Sequence, residues 1–320
     1  MTQKIAITSS MNLEPFIEVC EEYKVPWRTI ADKHGLPMDD AAGNQWLPTQ
    51  FAMRFVHDLA MQTGEPVGRL AGERFDLAKL DHPAAEVMAQ AEGLEQAYEV
   101  VMTYFRDFNN HVLLWPERIE GQWMLCHRCL FPPTLPGSSQ VEWFRVMLMM
   151  GLFRPFLPKD WKPEVLWLYT PSPKSALPQA LASTQMRYNA PYGAIPLPFA
   201  DDFQPFAQPS QSTAWLDSLL ALASTYAVLP EFNIHWLARL TNTSPRTLQR
   251  RLKDHGVQFR QMRDEARYLQ ARKLLESTEM TVEEIAWRTG YSDRANFNRA
   301  FRAWSGVTAP QFRRQLSEPG

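Results

Sequence analysis

Leu237-Ala238-Arg239-Leu240-Thr241-Asn242-Thr243-Ser244-Pro245-Arg246-Thr247-Leu248-Gln249-Arg250 is echoed 48 residues later by Ile285-Ala286-Trp287-Arg288-Thr289-Gly290-Tyr291-Ser292-Asp293-Arg294-Ala295-Asn296-Phe297-Asn298-Arg299. Each stretch reads as an apolar-Ala helix, a tight turn, a Ser cap, and a second helix bearing Arg and an amide side chain. That order is the sequence pattern of a helix-turn-helix. Two copies in one chain imply two helices presented to DNA.

In the first copy, Asn242 stands where such turns want Gly; Asn is the next-best residue for a left-handed backbone. Ser244 is placed to cap the following helix, and Pro245 takes its first position, where a missing N–H costs nothing. Leu248 and Leu252 form the buried stripe, while Arg246, Gln249 and Arg250 at i, i+3 and i+4 share another face. Arg pairs bidentately with guanine and Gln with adenine in the major groove. In the second copy Gly290 makes the turn, Ser292 is the expected cap, and Phe297, Phe301 and Trp304 form the core stripe. Arg294, Asn298 and Arg299 are the outward set, and Asn296 is a further amide on the same helix. Arg251, Lys253 and Arg302 are read as phosphate contacts or solvent-facing. Phe259 to Glu276 reads as one helix of roughly 27 Å, near the ~34 Å rise of a DNA turn. Such a rod suits two heads in neighbouring major-groove segments.

The segment Glu231 to Arg314 resembles the DNA-binding domain of the AraC/XylS family of bacterial transcription regulators. The likeness is carried by Ser244 through Leu252, Arg267, Ala271 through Leu275, Ile285-Ala286 and Gly290 through Asp293. It continues in Phe297 through Arg302, Trp304 through Thr308, and Phe312-Arg313. Three positions depart from the family pattern: Ala309 precedes the closing Pro310, Asn242 replaces Gly, and Thr241 replaces an aliphatic residue. The front of the chain is similar to the effector domain of one branch of that family, typified by the ornithine-utilisation regulator of pseudomonads. Thr63-Gly64-Glu65-Pro66, Leu70-Ala71-Gly72 and the Leu94 to Phe108 segment carry that likeness. It implies a domain that senses a small-molecule effector and is a candidate for homodimerisation. The expected partners are double-stranded promoter DNA, RNA polymerase and an effector of unspecified identity. Activation is the family's usual outcome. No cofactor or metal is expected.

The charge split agrees with this division. From Glu231 onward there are 16 Lys and Arg against 10 Asp and Glu, a net of +6; the remaining 17 and 25 leave −8 upstream. A basic tail suits a polyanion, and an acidic front does not. With 320 residues, two domains are expected. The chain's start lacks a basic, then apolar, signal pattern, and its longest apolar stretch, Val146 to Leu157, is broken by Gly151, Arg154 and Pro155. No membrane span and a cytoplasmic location are therefore expected. Three cysteines make no disulfide framework.

Residues 1–200 read as an α+β domain, helices first and a small antiparallel sheet after, followed by an all-α domain with the two helix-turn-helix motifs. Helical spacing covers Leu13 to Tyr23, Pro26 to His34, Thr49 to Gln62, Pro66 to Phe75 and Pro83 to Phe108. His111 to Ile119 and Gln122 to Phe131 read as a hairpin, and Val141 to Phe156 as a helix. Val165 to Tyr169 reads as a buried strand, Pro171 to Gln185 as a candidate helix, and Met186 to Leu197 as a returning strand. Residues 201–229 read as a linker with a connecting helix, and 230–320 as the DNA-binding domain.

Other constellations are weaker. Cys126-His127-Arg128-Cys129 has redox or half-zinc spacing, but falls in an expected strand where i and i+3 point apart. DNA-repair methyltransferases that carry the same helix pair need more cysteines. Asp39-Asp40 and Asp201-Asp202 lack the strands of a phosphoacceptor site. Phe105, Trp115, Trp123, Trp143, Phe153, Trp161 and Trp167 read as core or as the wall of an apolar pocket, with Arg106, His111, His127 and Arg145 as candidate carboxylate anchors. An enzymatic front domain finds no nucleophile–base pair or phosphate loop. A front domain that serves only dimerisation or protein interaction is the alternative to a sensor.

Overall fold

The computed structural model describes residues 4–38, 44–173, 175–206 and 214–317. Asp39-Asp40 and the later part of the 201–212 linker lie outside the described residues. Two compact units divide the chain, Ala6–Ser212 and Thr213–Gly320, the latter with Met1–Ile5.

The front unit opens with a three-residue strand, β1 (Ile7–Ser9), and helices α1 (Glu14–Glu22) and α2 (Trp27–Lys33). Strand β2 (Trp46–Pro48) pairs antiparallel with β1, and α3 (Thr49–Thr63) follows it directly. α4 (Val67–Arg74), α5 (Pro83–Ala89) and α6 (Leu94–Tyr104) complete the helical layer. The helical pattern through Phe108 is thus interrupted before Gly93, and Phe105–Asp107 closes as a 3-10 turn. α4 lies unusually close to α7 (Ser138–Phe153). A Cβ on Gly68 would meet Gln140 O at 1.9 Å, and one on Gly72 would meet Phe144 O at 2.7 Å, so only glycine permits that approach.

The hairpin β3 (Val112–Ile119) and β4 (Gln122–Cys129) turns on Glu120-Gly121, both at positive φ (51° and 86°), the geometry of a two-residue hairpin loop. The sheet runs β3-β4-β7-β5-β6, with β5 at Val165–Trp167, β6 at Gln185–Arg187 and β7 at Gly193–Pro196. It is antiparallel except that β5 and β6 pair in parallel. The expected helix over 171–185 does not form. Pro171, Pro173 and Pro178 deny it backbone donors, and only a 3-10 turn, Gln179–Leu181, remains. The expected single strand over 186–197 is instead two strands around a reversal at Asn189 (φ 55°) and Pro191.

One core joins the sheet to α6 and α7 through Tyr98, Val146, Met149, Leu125, Leu166 and Ile195; a second joins α1 to α4 through Phe16, Phe55, Val56, Leu59 and Val67. Cys20, Cys126 and Cys129 are buried thiols with no disulfide. Burial pushes the Cys126 thiol up to about 12, and the neighbouring Glu117 carboxylate adds to it. Both cysteines of the C-x-x-C are strand core. Asp201 pairs with Arg118 at 2.6 Å on the surface. Among the described residues no helix is long and apolar enough to cross a membrane.

The second unit is all helical: α8 (Trp215–Tyr226), α9 (Ile234–Leu240), α10 (Pro245–Asp254), α11 (Phe259–Ser277), α12 (Val282–Arg288), α13 (Arg294–Ser305) and α14 (Ala309–Ser317). α11, 19 residues and so roughly 28 Å long, packs against α8, α12 and α14.

Candidate nucleic-acid interface

The two repeats fold alike at the turn. Thr241 Oγ1 donates to Leu237 O at 2.9 Å, and Thr289 Oγ1 donates to Ile285 O at 2.7 Å. The next residue is left-handed in both, Asn242 at φ 50° and Gly290 at φ 81°. One residue further, the Thr243 amide donates to Ala238 O and the Tyr291 amide to Ala286 O, each at 2.9 Å. Both turns therefore close through the same two hydrogen bonds on either side of a left-handed residue.

The recognition helices begin differently. Ser244 caps α10, its Oγ accepting from the Thr247 amide at 3.1 Å. In the second head the cap is Asp293, not the expected Ser292: its carboxylate accepts from the Asn296 amide at 2.7 Å. An acidic cap also complements the positive end of the helix. The second turn is thus one residue longer, and the helices correspond at an offset of 49, with buried Leu248 and Leu252 matching buried Phe297 and Phe301. In that register Gln249-Arg250 answers to Asn298-Arg299, Lys253 to Arg302, and Arg246 to Ala295.

On α10, Arg246, Gln249 and Arg250 are all exposed, and among the described residues none of the three side chains has a hydrogen bond or ion pair. Arg251 is half-buried, with its guanidinium over the Trp215 ring at 5.6 Å, on a different side of the helix. On α13, Arg294, Asn296, Arg299 and Arg302 are exposed. Asn296 donates to Asp293 and accepts from Arg299, forming a short surface chain. Asn298 is half-buried, and its Oδ1 is buried with no hydrogen-bond partner among the described residues.

Arg267 of α11 fastens the second head. Its guanidinium, 6% exposed, donates to Ala227 O at 2.7 Å and Leu229 O at 3.3 Å and lies over the Tyr291 ring at 5.1 Å. A Cβ on Gly290 would meet both Arg267 Nη2 and Val228 O at 2.7 Å. By sequence Arg267 is a motif position only; an arginine amid the apolar stripe of α11 is the signal of this role. Trp287, 66% exposed on α12, was likewise not singled out.

The front unit holds a cavity of about 110 Å³ bounded by α1, α3, α6, β3 and α7. Of the four candidate anchors, His111 and Arg145 line it; Arg106 and His127 do not. Phe105 lines it too, whereas Trp115 and Trp167 lie on the opposite sheet face with Cys126 and Ala194. Trp123, Trp143, Phe153 and Trp161 belong to the core between the sheet and α7.

The repeated, capped helix pairs define a double helix-turn-helix protein. Residues 26–201 match the family model of the arabinose-binding domain of AraC transcription regulators, N-terminal, and residues 237–315 match that of a helix-turn-helix domain. The chain belongs to the AraC family of DNA-binding transcription regulators. It is 40% identical over 76 residues to the HTH-type transcriptional regulator VqsM of Pseudomonas aeruginosa, covering 24% of this chain and 23% of that one. It is 38% identical over 76 residues to the ornithine utilization regulator of the same organism, covering 24% and 22%. The chain spans about a fifth of the length of the curated relatives it matches. The crystal structure of the transcriptional regulator CdpR from Pseudomonas aeruginosa superposes with a TM-score of 0.40 at 19% identity, over 95% of this chain and 98% of that one.

Proposed function

We propose that this regulator activates transcription by placing α10 and α13 in successive major-groove segments of a promoter, under the control of a small molecule held in the front unit. The observation that carries this reading is the amide–arginine pair at the same position of both recognition helices, Gln249-Arg250, both exposed, and Asn298-Arg299, of which Arg299 is exposed and Asn298 half-buried. An exposed Arg offers two donors to the O6 and N7 of guanine, and an exposed amide offers a donor and an acceptor to the N7 and N6 of adenine. Arg246, Arg294 and Asn296, near the helix starts, extend base or phosphate contact, and Arg251 and Arg302 serve the backbone. RNA polymerase is the further partner an activator requires, and the front unit is the candidate site of homodimerisation.

Fluorescence anisotropy of the full-length protein on duplex DNA tests this. With six or more phosphates neutralised, affinity falls about 10³-fold or more between 50 and 200 mM salt. Adding fractionated metabolites should shift affinity or footprint. A footprint indifferent to every fraction would favour a front unit that only dimerises.

A further inference from the structure

We infer that the front-unit cavity takes a monocarboxylate with a hydrocarbon body, the carboxylate paired with Arg145. The inference rests on the reading of that unit as an effector sensor and specifies the effector's chemistry.

The walls are mostly hydrocarbon: Phe16, Val56, Val101, Phe105, Phe144 and Leu152 face one another across the space. Most lining polar groups are already engaged. Asn12 Nδ2 donates to Thr8 Oγ1 at 3.0 Å and Phe108 O at 2.8 Å, and Asn109 Oδ1 accepts from the Val112 amide at 3.3 Å. His111 Nδ1 lies 3.2 Å from both Thr49 Oγ1 and Ile7 O. A carbonyl only accepts, so Nδ1 carries the proton. Burial and the nearby Arg145 charge hold His111 down at about 3, so the ring is neutral.

Arg145 is different. It is 7% exposed, yet among the described residues its one hydrogen bond is Nη1 to Tyr169 Oη at 3.3 Å, and it has no ion pair. The carboxylate one helical turn away, Glu142, is saturated elsewhere: it accepts from the Tyr169 amide at 2.7 Å, the Thr170 amide at 2.9 Å and the Thr170 hydroxyl. A guanidinium has five N–H donors. Leaving most of them unfilled inside a protein is costly, and a carboxylate meets them two at a time.

The remaining lining chemistry narrows the ligand. Arg145 is the one cationic lining residue, and no Asp or Glu lines the cavity, among the described residues. A dicarboxylate would bury a second, uncompensated charge, and an amino acid would bring an ammonium with no counter-charge. A sugar needs donors and acceptors around its whole rim, which these walls do not supply. The family model's arabinose is therefore a poor match to this cavity.

Isothermal titration calorimetry of the full-length protein tests the inference, with hexanoate, octanoate, decanoate and 4-phenylbutyrate as probes. 1-Decanol, decylammonium, L-arabinose and L-ornithine are the comparisons. At least one carboxylate should bind, decanoate at least tenfold more tightly than decanol, and the other comparisons should give no heat. Arg145→Gln should bring decanoate down to the affinity of decanol while decanol binding persists. Should that variant fail to fold, Leu152→Trp, which fills the apolar part of the cavity, should abolish binding of both decanoate and decanol with the fold intact by circular dichroism. Equal affinity for acid and alcohol, binding of arabinose or ornithine in place of the acids, or no heat from any carboxylate would overturn the inference. A metabolite fraction that shifts the DNA footprint while every carboxylate fails would leave the sensor reading standing without it. A carboxylate that binds without altering the footprint would do the reverse.

Discussion

The two helix-turn-helix heads share a turn but differ in how their helices are held. The first is capped by neutral groups, Asn233 on α9 and Ser244 on α10. The second is capped by carboxylates, Glu284 in a capping box with Thr281 on α12 and Asp293 on α13. The first leaves Arg246, Gln249 and Arg250 unengaged; the second ties Arg299 to Asn296 and tucks Asn298 partly away. The second also has the denser aromatic core, with Phe297, Phe301, Tyr268, Tyr291 and Trp304 in contact, and is fastened by Arg267. The difference is one of engagement: the second head ties polar side chains into its own frame, and the first leaves its own free among the described residues, which under the proposed function is a division of labour between rigidity and contact.

The largest expected effect comes from the fastening. Arg267→Met removes two charge-assisted hydrogen bonds and should cost about 3 kcal/mol or more in thermal unfolding of the DNA-binding unit. Hydrogen exchange should show amides of α12 and α13 opening before those of α9 and α10. Equal loosening of both heads would break the comparison.

Next come the contacts themselves. Arg250→Ala should weaken binding to a selected site by about 1–3 kcal/mol and relax preference at one base position. Arg299→Ala should cost less, because Arg299 must leave Asn296 to reach DNA. Anisotropy on matched and mismatched duplexes reads both, and the reverse ranking would contradict the assignment.

The turns give a third contrast. Gly290→Ala places a Cβ against Val228 O and Arg267 at φ 81° and should destabilise by about 1–3 kcal/mol. Asn242→Gly, at an exposed left-handed position, should change stability by no more than about 0.5 kcal/mol in either direction. Differential scanning calorimetry distinguishes them.

The smallest effect is in acid. The Asn296 amide donating to Asp293 and the Thr281 amide donating to Glu284 hold both carboxyls below their usual range. Their folded pKa lies below the unfolded one, so this stabilisation is present above about pH 4 and is lost as pH falls through the folded values. Exchange protection at Thr281 and Asn296, whose amides donate to the two carboxylates, should decline as pH falls below about 4 more than at Trp236 and Thr247, whose caps do not titrate there. A uniform decline would show that the carboxylate caps carry no special weight.

The repeated heads were legible because each turn is written in local chemistry: a Thr, a left-handed residue, then a cap. The cap of α13 was misplaced by one residue because Ser292 and Asp293 are both good caps, and only the register of the buried Phe297 decides between them. The hairpin was legible from alternation and from Gly121. β1 and β2 were not, since three residues show no period and their pairing joins segments some 40 residues apart. Arg145, the anchor proposed for the cavity, was named among four candidates, but its neighbours were hidden. Glu142, one helical turn before Arg145, carried no sequence signal, and α7 is covered on several sides so that both are buried.

The most direct test of two heads with unequal roles is selection of bound sequences from random duplex DNA by the full-length protein and by the Arg250→Ala and Arg299→Ala variants. The account predicts two conserved blocks about one helical turn apart. Arg250→Ala should erase a position in one block, and Arg299→Ala should blur a position in the other. A single block, or variants that enrich the same site as the parent with uniformly lower yield, would contradict it.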